Sequence, residues 1–159
     1  MGNRFKFTLF TGAFAVLAAL AAFSTARAAQ HVGIIVLTQT ACQFIESEDG
    51  IERGYTTTKK ADCDAINGKN GAERVAAAEP LVLKPGSYIF RVTNRDVPYV
   101  LGFWLRAEKL IDRIYLPSVS GGGLETGDTR DYVIELTPGN YVYSCPLNTT
   151  PDYRLIVQG

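Results

Sequence analysis

The frame Leu-x-Pro-Gly-x-Tyr occurs twice, as Leu83-Lys84-Pro85-Gly86-Ser87-Tyr88 and as Leu136-Thr137-Pro138-Gly139-Asn140-Tyr141. Proline presets φ at one corner and glycine accepts a positive φ at the next, so each frame reads as a type II turn launching a strand. In the stretch after the first corner, Tyr88, Phe90 and Val92 fall on one face while Ser87, Ile89, Arg91 and Thr93 fall on the other. Tyr132, Ile134 and Leu136 repeat this alternation, which is the period of a half-buried strand. Strands are expected over 32–38, 81–83, 87–93, 99–106, 113–116, 131–136, 140–144 and 154–157, with turn residues between them. So many short strands in one domain imply an all-β fold, a two-sheet sandwich with Greek-key connections.

The run between Cys42 and Pro80 has a different texture, polar and charged with Gly50, Gly54, Gly68 and Gly71. It reads as an insertion in the sandwich, about 46–79, with room for a short helix over Ala72–Ala78 capped by Asn70 or Gly71. A loop of this length in a compact domain is usually functional or tied down, and a disulfide through Cys63 would tie it.

Arg4 and Lys6 precede an apolar run from Phe7 to Phe23, and Ala26-Arg27-Ala28 follows with small residues at the two positions a signal peptidase reads. Residues 1–28 are therefore expected to be a cleaved secretory signal. An uncleaved anchor is the other reading, which the length of the run barely permits. The remainder, 29–159, has the size of one domain and is expected in the periplasm or outside the cell. The formal net charge is zero, so nucleic acid and anionic membrane surfaces are poor electrostatic partners, and no span of the membrane is expected after cleavage.

The chain has three cysteines, Cys42, Cys63 and Cys145. In an oxidising compartment one disulfide plus one free thiol is the simplest inventory, and spacing does not say which two pair. A type 1 copper centre needs two imidazoles and a thiolate, usually with a weak axial thioether. The single histidine is His31 and the single methionine is Met1, so a blue-copper electron carrier is not expected. A Ser/His or Cys/His pair would also have to use His31, and no enzyme or catalytic residue is expected.

The ending, Tyr141-Val142-Tyr143-Ser144-Cys145 followed by Pro146-Leu147-Asn148 and the apolar run Tyr153-Arg154-Leu155-Ile156-Val157, has the outline of a cupredoxin ending. Together with the early strand reaching Cys42, the turn Pro85-Gly86 into a strand closing in Thr93-Asn94, and Pro138 to Tyr141, it resembles the cupredoxin-like domain of the EfeO family of periplasmic iron-uptake proteins. The resemblance covers most of 32–159 apart from the insertion carrying Cys63. It has no counterpart of that family's acidic segment before the later Pro-Gly corner, where Tyr115 to Ser120 and Gly121-Gly122-Gly123 stand instead. The resemblance implies a cupredoxin-like fold, handling of copper ahead of iron through cysteine and carboxylate groups, and Cys42 facing Cys145 at one end of the sandwich.

Several constellations follow. Cys145, with Cys42, is the candidate metal site, because two soft thiolates suit Cu(I) and copper is the candidate cofactor. The favoured alternative is a disulfide between these two. Cys42 with Cys63 is the rival pairing, which leaves Cys145 free for metal or a partner thiol. Glu46, Glu48, Asp49 and Glu52 suit a hard cation, but a solvated loop is the expectation. His31, close to the expected mature amino terminus, could chelate Cu(II) together with the terminal amine, but a bystander histidine is the expectation. Gly121-Gly122-Gly123 reads as a flexible loop. The apolar stretch Pro98 to Leu105 is read as a core strand, and Tyr99, Phe103 and Trp104 become a docking surface for a protein partner if they face outward near Cys145. The chain is thus read as an exported cupredoxin-like protein in metal binding or transfer. Its alternative is a metal-free interaction or structural subunit of a periplasmic or membrane-associated complex.

Overall fold

The computed structural model describes residues 1–2 and 33–159. Residues 3–28 of the expected signal, the expected cleavage point and His31 lie outside the described residues. The strands are β1 (Gly33–Thr40), β2 (Gln43–Phe44), β3 (Leu81–Leu83), β4 (Gly86–Asn94), β5 (Leu101–Ala107), β6 (Val119–Leu124), β7 (Thr129–Leu136), β8 (Gly139–Ser144) and β9 (Tyr153–Val157), with one helix, α1 (Lys60–Ala77). They form two sheets, ordered β2-β1-β4-β7 and β3-β9-β8-β5-β6. The pairs β1–β4 and β3–β9 are parallel and the rest antiparallel. The chain passes repeatedly from one sheet to the other, and the result is the two-sheet β-sandwich expected from the alternation, as the cupredoxin-like resemblance also implied.

The inward side chains of both sheets close on an aromatic centre. Phe103 of β5 stacks on Phe90 of β4 at 5.6 Å between ring centroids and meets Tyr132 of β7 at 5.0 Å. Phe44, Tyr143 and Tyr153 continue the cluster. Burial holds the Tyr143 phenol up at about 12, although Ser47 hydrogen-bonds it. Edge-to-face and offset pairs of this kind add directional packing to the area they remove from water.

Four local expectations are corrected. Gly86 and Gly139 have φ of 148° and 159°, well beyond the value near +80° of a type II turn, because each glycine is already the first residue of its strand. The segment expected as a strand over 113–116 is a 3₁₀ turn, Leu110–Ile114. The glycine run 121–123, read as a loop, belongs to β6 and pairs with β5. Its composition answers to space: a Cβ on Gly121 would stand 2.9 Å from the Tyr132 ring. The short helix over 72–78 is the end of a longer one. Asp62 starts that helix by accepting hydrogen bonds from the backbone N–H groups of Thr58 and Lys59 at 2.8 and 3.1 Å. These bonds satisfy donors that a helix start leaves open. Asn70 and Gly71, read as caps, stand in its interior.

Candidate functional site

β8 ends at Ser144, and Cys145 is the first residue beyond it, at one end of the sandwich. The insertion closes over that end. Cys42, in the turn between β1 and β2, has φ of 63° and is disulfide-bonded to Cys63 on the first turns of α1, with a Cα–Cα separation of 5.0 Å. The favoured Cys42–Cys145 pairing is thereby corrected to its rival, and Cys42 is no free thiolate for a metal. The physical reason is α1, which carries Cys63 onto the β1–β2 corner, a placement the spacing does not reveal.

Cys145 is the free cysteine and is fully buried. Its Sγ accepts hydrogen bonds from the backbone N–H of Gly102 at 3.4 Å and of Asn148 at 3.2 Å. Burial pushes the thiol pKa up, and these backbone donors offset it only in part. A buried thiol with a raised pKa behaves as a small apolar core residue more than as a nucleophile or ligand.

Asn148, also fully buried, joins the thiol to the disulfide. Its Nδ2 donates to the Thr40 carbonyl at 2.8 Å and its Oδ1 accepts from the Cys42 N–H at 3.1 Å. The Cys63 sulfur lies 3.3 Å from the same oxygen, a contact without a proton, since both sulfurs are in the S–S bond. Tyr99, half-buried, has its hydroxyl 3.1 Å from Thr57 Oγ1 and 3.5 Å from Asn148 Oδ1. Thr57 donates to the Lys59 carbonyl at 2.9 Å, so Tyr99 is the donor in the pair. Desolvation raises the Tyr99 pKa and keeps the phenol protonated.

Behind the disulfide, Glu48 and Arg74 form a buried ion pair at 2.5 Å, with side-chain exposures of 1% and 3%. Tyr153 donates to Glu48 at 2.5 Å, Arg53 pairs with the same carboxylate, and Arg74 also donates to the Cys42 carbonyl at 3.1 Å. Burial alone would raise the Glu48 pKa. The bonds from Arg74, Tyr153 and Arg53, with the Arg74 charge, hold it below the usual carboxylate value. The solvated loop expected for this stretch holds for Glu46, Asp49 and Glu52, which are exposed, and is corrected for Glu48, which is buried and anchors α1; Glu46 accepts from Thr38 N and Oγ1 at 2.6 and 2.7 Å, and Glu52 pairs with Arg95.

Of the expected docking residues, Phe103 is 1% exposed and belongs to the core, so its place on a partner surface is corrected. Trp104, the next residue on β5, points to the opposite face, with the guanidinium of Arg106 over its ring at 4.1 Å. A groove of about 450 Å³ runs beside it, lined by Gly102, Trp104, Gly121, Gly122, Pro146 and Leu147. A second cleft, about 590 Å³, separates α1 from the loop after Cys145.

The donor set does not fit a copper ion of the type 1 kind. One sulfur is a buried protonated thiol and two are joined to each other, while Asn148 and Tyr99 are engaged in hydrogen bonds. Among the described residues, no group of three or more His, Cys, Asp or Glu stands together as a metal site. Sequence reading places Cys145, names Glu48 and Asn148 without their roles, and misses Thr57 and Arg74. Only Asn148 carries a signal, its place three residues after Cys145. Asn148→Ala is expected to lower stability by about 2 kcal/mol, the cost of leaving the buried Cys42 N–H and Thr40 carbonyl unpaired. It should also speed labelling of Cys145 by a thiol reagent in native buffer; unfolding curves and a labelling time course check both.

No family model matches the chain, and no curated protein matches it in sequence. Among solved structures it is similar in shape to auracyanin B, at 11% identity over 82% of this chain and 91% of that one, with a TM-score of 0.45. It is also similar to Lac15 from a marine microbial metagenome, at 15% identity, TM-score 0.39. A third likeness is to Fet3p, a multicopper oxidase that functions in iron import, at 13% identity, TM-score 0.36. The chain aligns over 81% and 79% of its own length with these last two, and spans only 28% and 31% of theirs.

Proposed function

We propose that this is a metal-free cupredoxin-fold domain that works by docking to a protein partner in an exported or membrane-associated complex. The observation that carries the reading is the closure of the Cys145 end by Asn148 and the Cys42–Cys63 disulfide. A metal-transfer protein needs a reachable ligand, and here the one free sulfur lies beneath the loop that bonds it. The groove beside Trp104, floored by the glycines of edge strand β6, offers a partner apolar surface, while the carbonyls of Gly121, Gly122 and Gly123 already accept from Tyr132 and Arg130. The EfeO resemblance loses its paired cysteines in this reading, because Cys42 is bonded within the insertion.

Copper handling keeps one observation in its favour, the free thiol at Cys145. The two readings separate in a competition for Cu(I). Under the docking reading, wild type and Cys145→Ser, both with the disulfide intact, retain equally little Cu(I) against a moderate chelator. One equivalent held by wild type and lost in Cys145→Ser would overturn it in favour of copper.

A further inference from the structure

The groove beside Trp104 runs along the outer face of β5 and β6, where Trp104 pairs with Ser120 and Phe103 with Gly121. No carboxylate lines it. Guanidinium groups stand at both of its ends. Arg106 and Arg113 lie against the Trp104 ring, at 4.1 and 5.4 Å from its centroid. At the other end Arg130, near the start of β7, donates to the carbonyls of Gly122 and Gly123 at 2.5 and 3.0 Å.

These three cations are not equivalent. Asp152 accepts from Arg106 through both of its oxygens at 2.8 Å, so that charge is matched. Among the described residues, Arg113 and Arg130 enter no ion pair. Their bonds go to neutral carbonyls, Arg113 Nε to Ala107 at 3.4 Å and Arg130 to the two glycines. A carbonyl orients a guanidinium and leaves its charge uncompensated, and each fork keeps N–H groups to spare. An exposed arginine ordinarily loses freedom when a partner binds it, which weakens the contact. Here the indole ring and the glycine carbonyls have set both forks in place beforehand, one at each end of an apolar floor. Tryptophan and arginine are also the residue types that most often dominate interface energies.

We propose that this groove takes an extended segment of a partner protein that presents two carboxylates with apolar residues between them. The apolar residues lie on Trp104, Pro146 and Leu147, and the carboxylates meet Arg113 and Arg130. The proposal rests on the docking reading given above and adds to it the chemistry of the partner. The formal net charge of the chain is zero, so no long-range field draws a polyanion, and the two cations select a short acidic stretch. Both sit at the rim, where charge pairing sets the choice of partner more than the affinity.

The test uses the protein as purified from an exporting host and three series of capped peptides immobilised on a label-free biosensor. Each peptide has two to four residues drawn from Val, Leu, Pro and Phe, flanked on both sides by Glu, by Gln or by Lys. The Glu series is expected to hold the wild-type protein about fivefold more tightly than the Gln series, the worth of two exposed ion pairs. The Lys series should be weakest, and the spread should shrink as salt is raised. Arg113→Glu combined with Arg130→Glu should invert the order and favour Lys. Both side chains are exposed, and a gained preference is something a misfolded variant could not show. A Glu preference that survives the two substitutions overturns the proposal. Equal retention of all three series, abolished by Trp104→Ala, overturns the acidic partner and leaves the docking groove standing. Retention of none, or retention that Trp104→Ala does not change, overturns both. A thymidine oligonucleotide held in place of every peptide would assign the cations to nucleic acid and overturn both equally.

Discussion

Arg74→Ala is expected to destabilise the domain by about 3–5 kcal/mol, the range for removing one partner of a buried ion pair and leaving the other charge uncompensated. The Glu48 carboxylate would keep Tyr153 and the partly exposed Arg53 as partners, which places the loss toward the lower end. The Cys42 carbonyl would lose its bond from Arg74, and α1 its main polar link to the sandwich. Arg74→Met with Glu48→Gln should recover much of the loss, since no buried charge remains and the amide oxygen introduced by Glu48→Gln can still accept from Tyr153. Urea unfolding of the two variants measures the difference. A loss under about 1 kcal/mol for Arg74→Ala would mean that the pair is not what holds α1 down.

The same pair sets an acid limit. The folded-state pKa of Glu48 lies below its ordinary value of 4.5, so the unfolded chain takes up the proton first. The stability contributed by this group is complete above the ordinary value and is lost as pH falls through the lowered one. In Glu48→Gln that part of the acid dependence should be absent.

Reduction of the disulfide, or Cys63→Ser, is expected to cost about 3 kcal/mol, the chain-entropy value for a loop of this size; Cys42 and Cys63 are 21 residues apart. The bridge also fixes the start of α1 against the β1–β2 corner, so the loss should concentrate in the insertion. Two readouts tie the effect to this bond. Reductant should lower the melting temperature of wild type and leave Cys63→Ser unchanged. Blocking thiols after denaturation without reductant should label Cys145 alone. A reductant effect that persists in Cys63→Ser would point to Cys42–Cys145 instead.

The sandwich is legible because its strands obey a strict period of two. The stretch 87–93 reads correctly since β4 keeps aromatic and β-branched residues on one face, and β9 is short but apolar on both sides of Arg154. α1 is mostly illegible: Gly68 and Gly71 interrupt it, its buried residues are only Cys63, Gly71 and Arg74, and no apolar stripe betrays it. The turn Leu110–Ile114 reads in part as strand because isoleucine and tyrosine favour sheets, while its exposure is a tertiary fact. The site is half legible. Cys145 announces itself by its position after an aromatic strand, but its seal depends on Asn148 reaching Thr40 and Cys42, 108 and 106 residues away in the chain. No local pattern encodes that reach. The ion pair of Glu48 with Arg74 is hidden in the same way, as one acid among four.

Both β1 and β9 lie inside their sheets, β1 between β2 and β4 and β9 between β3 and β8. Ile34 finds its partner at Ile89, and Leu81 finds its own at Leu155. Neither sheet can be assembled from neighbouring segments alone, and a chain dominated by such distant pairings folds slowly. A ribosome or a translocation pore releasing this chain from its amino-terminal side would leave the sheet β3-β9-β8-β5-β6 open until β8 and β9 emerge. The topology thus gives an interval in which the polypeptide can still be passed through a narrow channel before it locks.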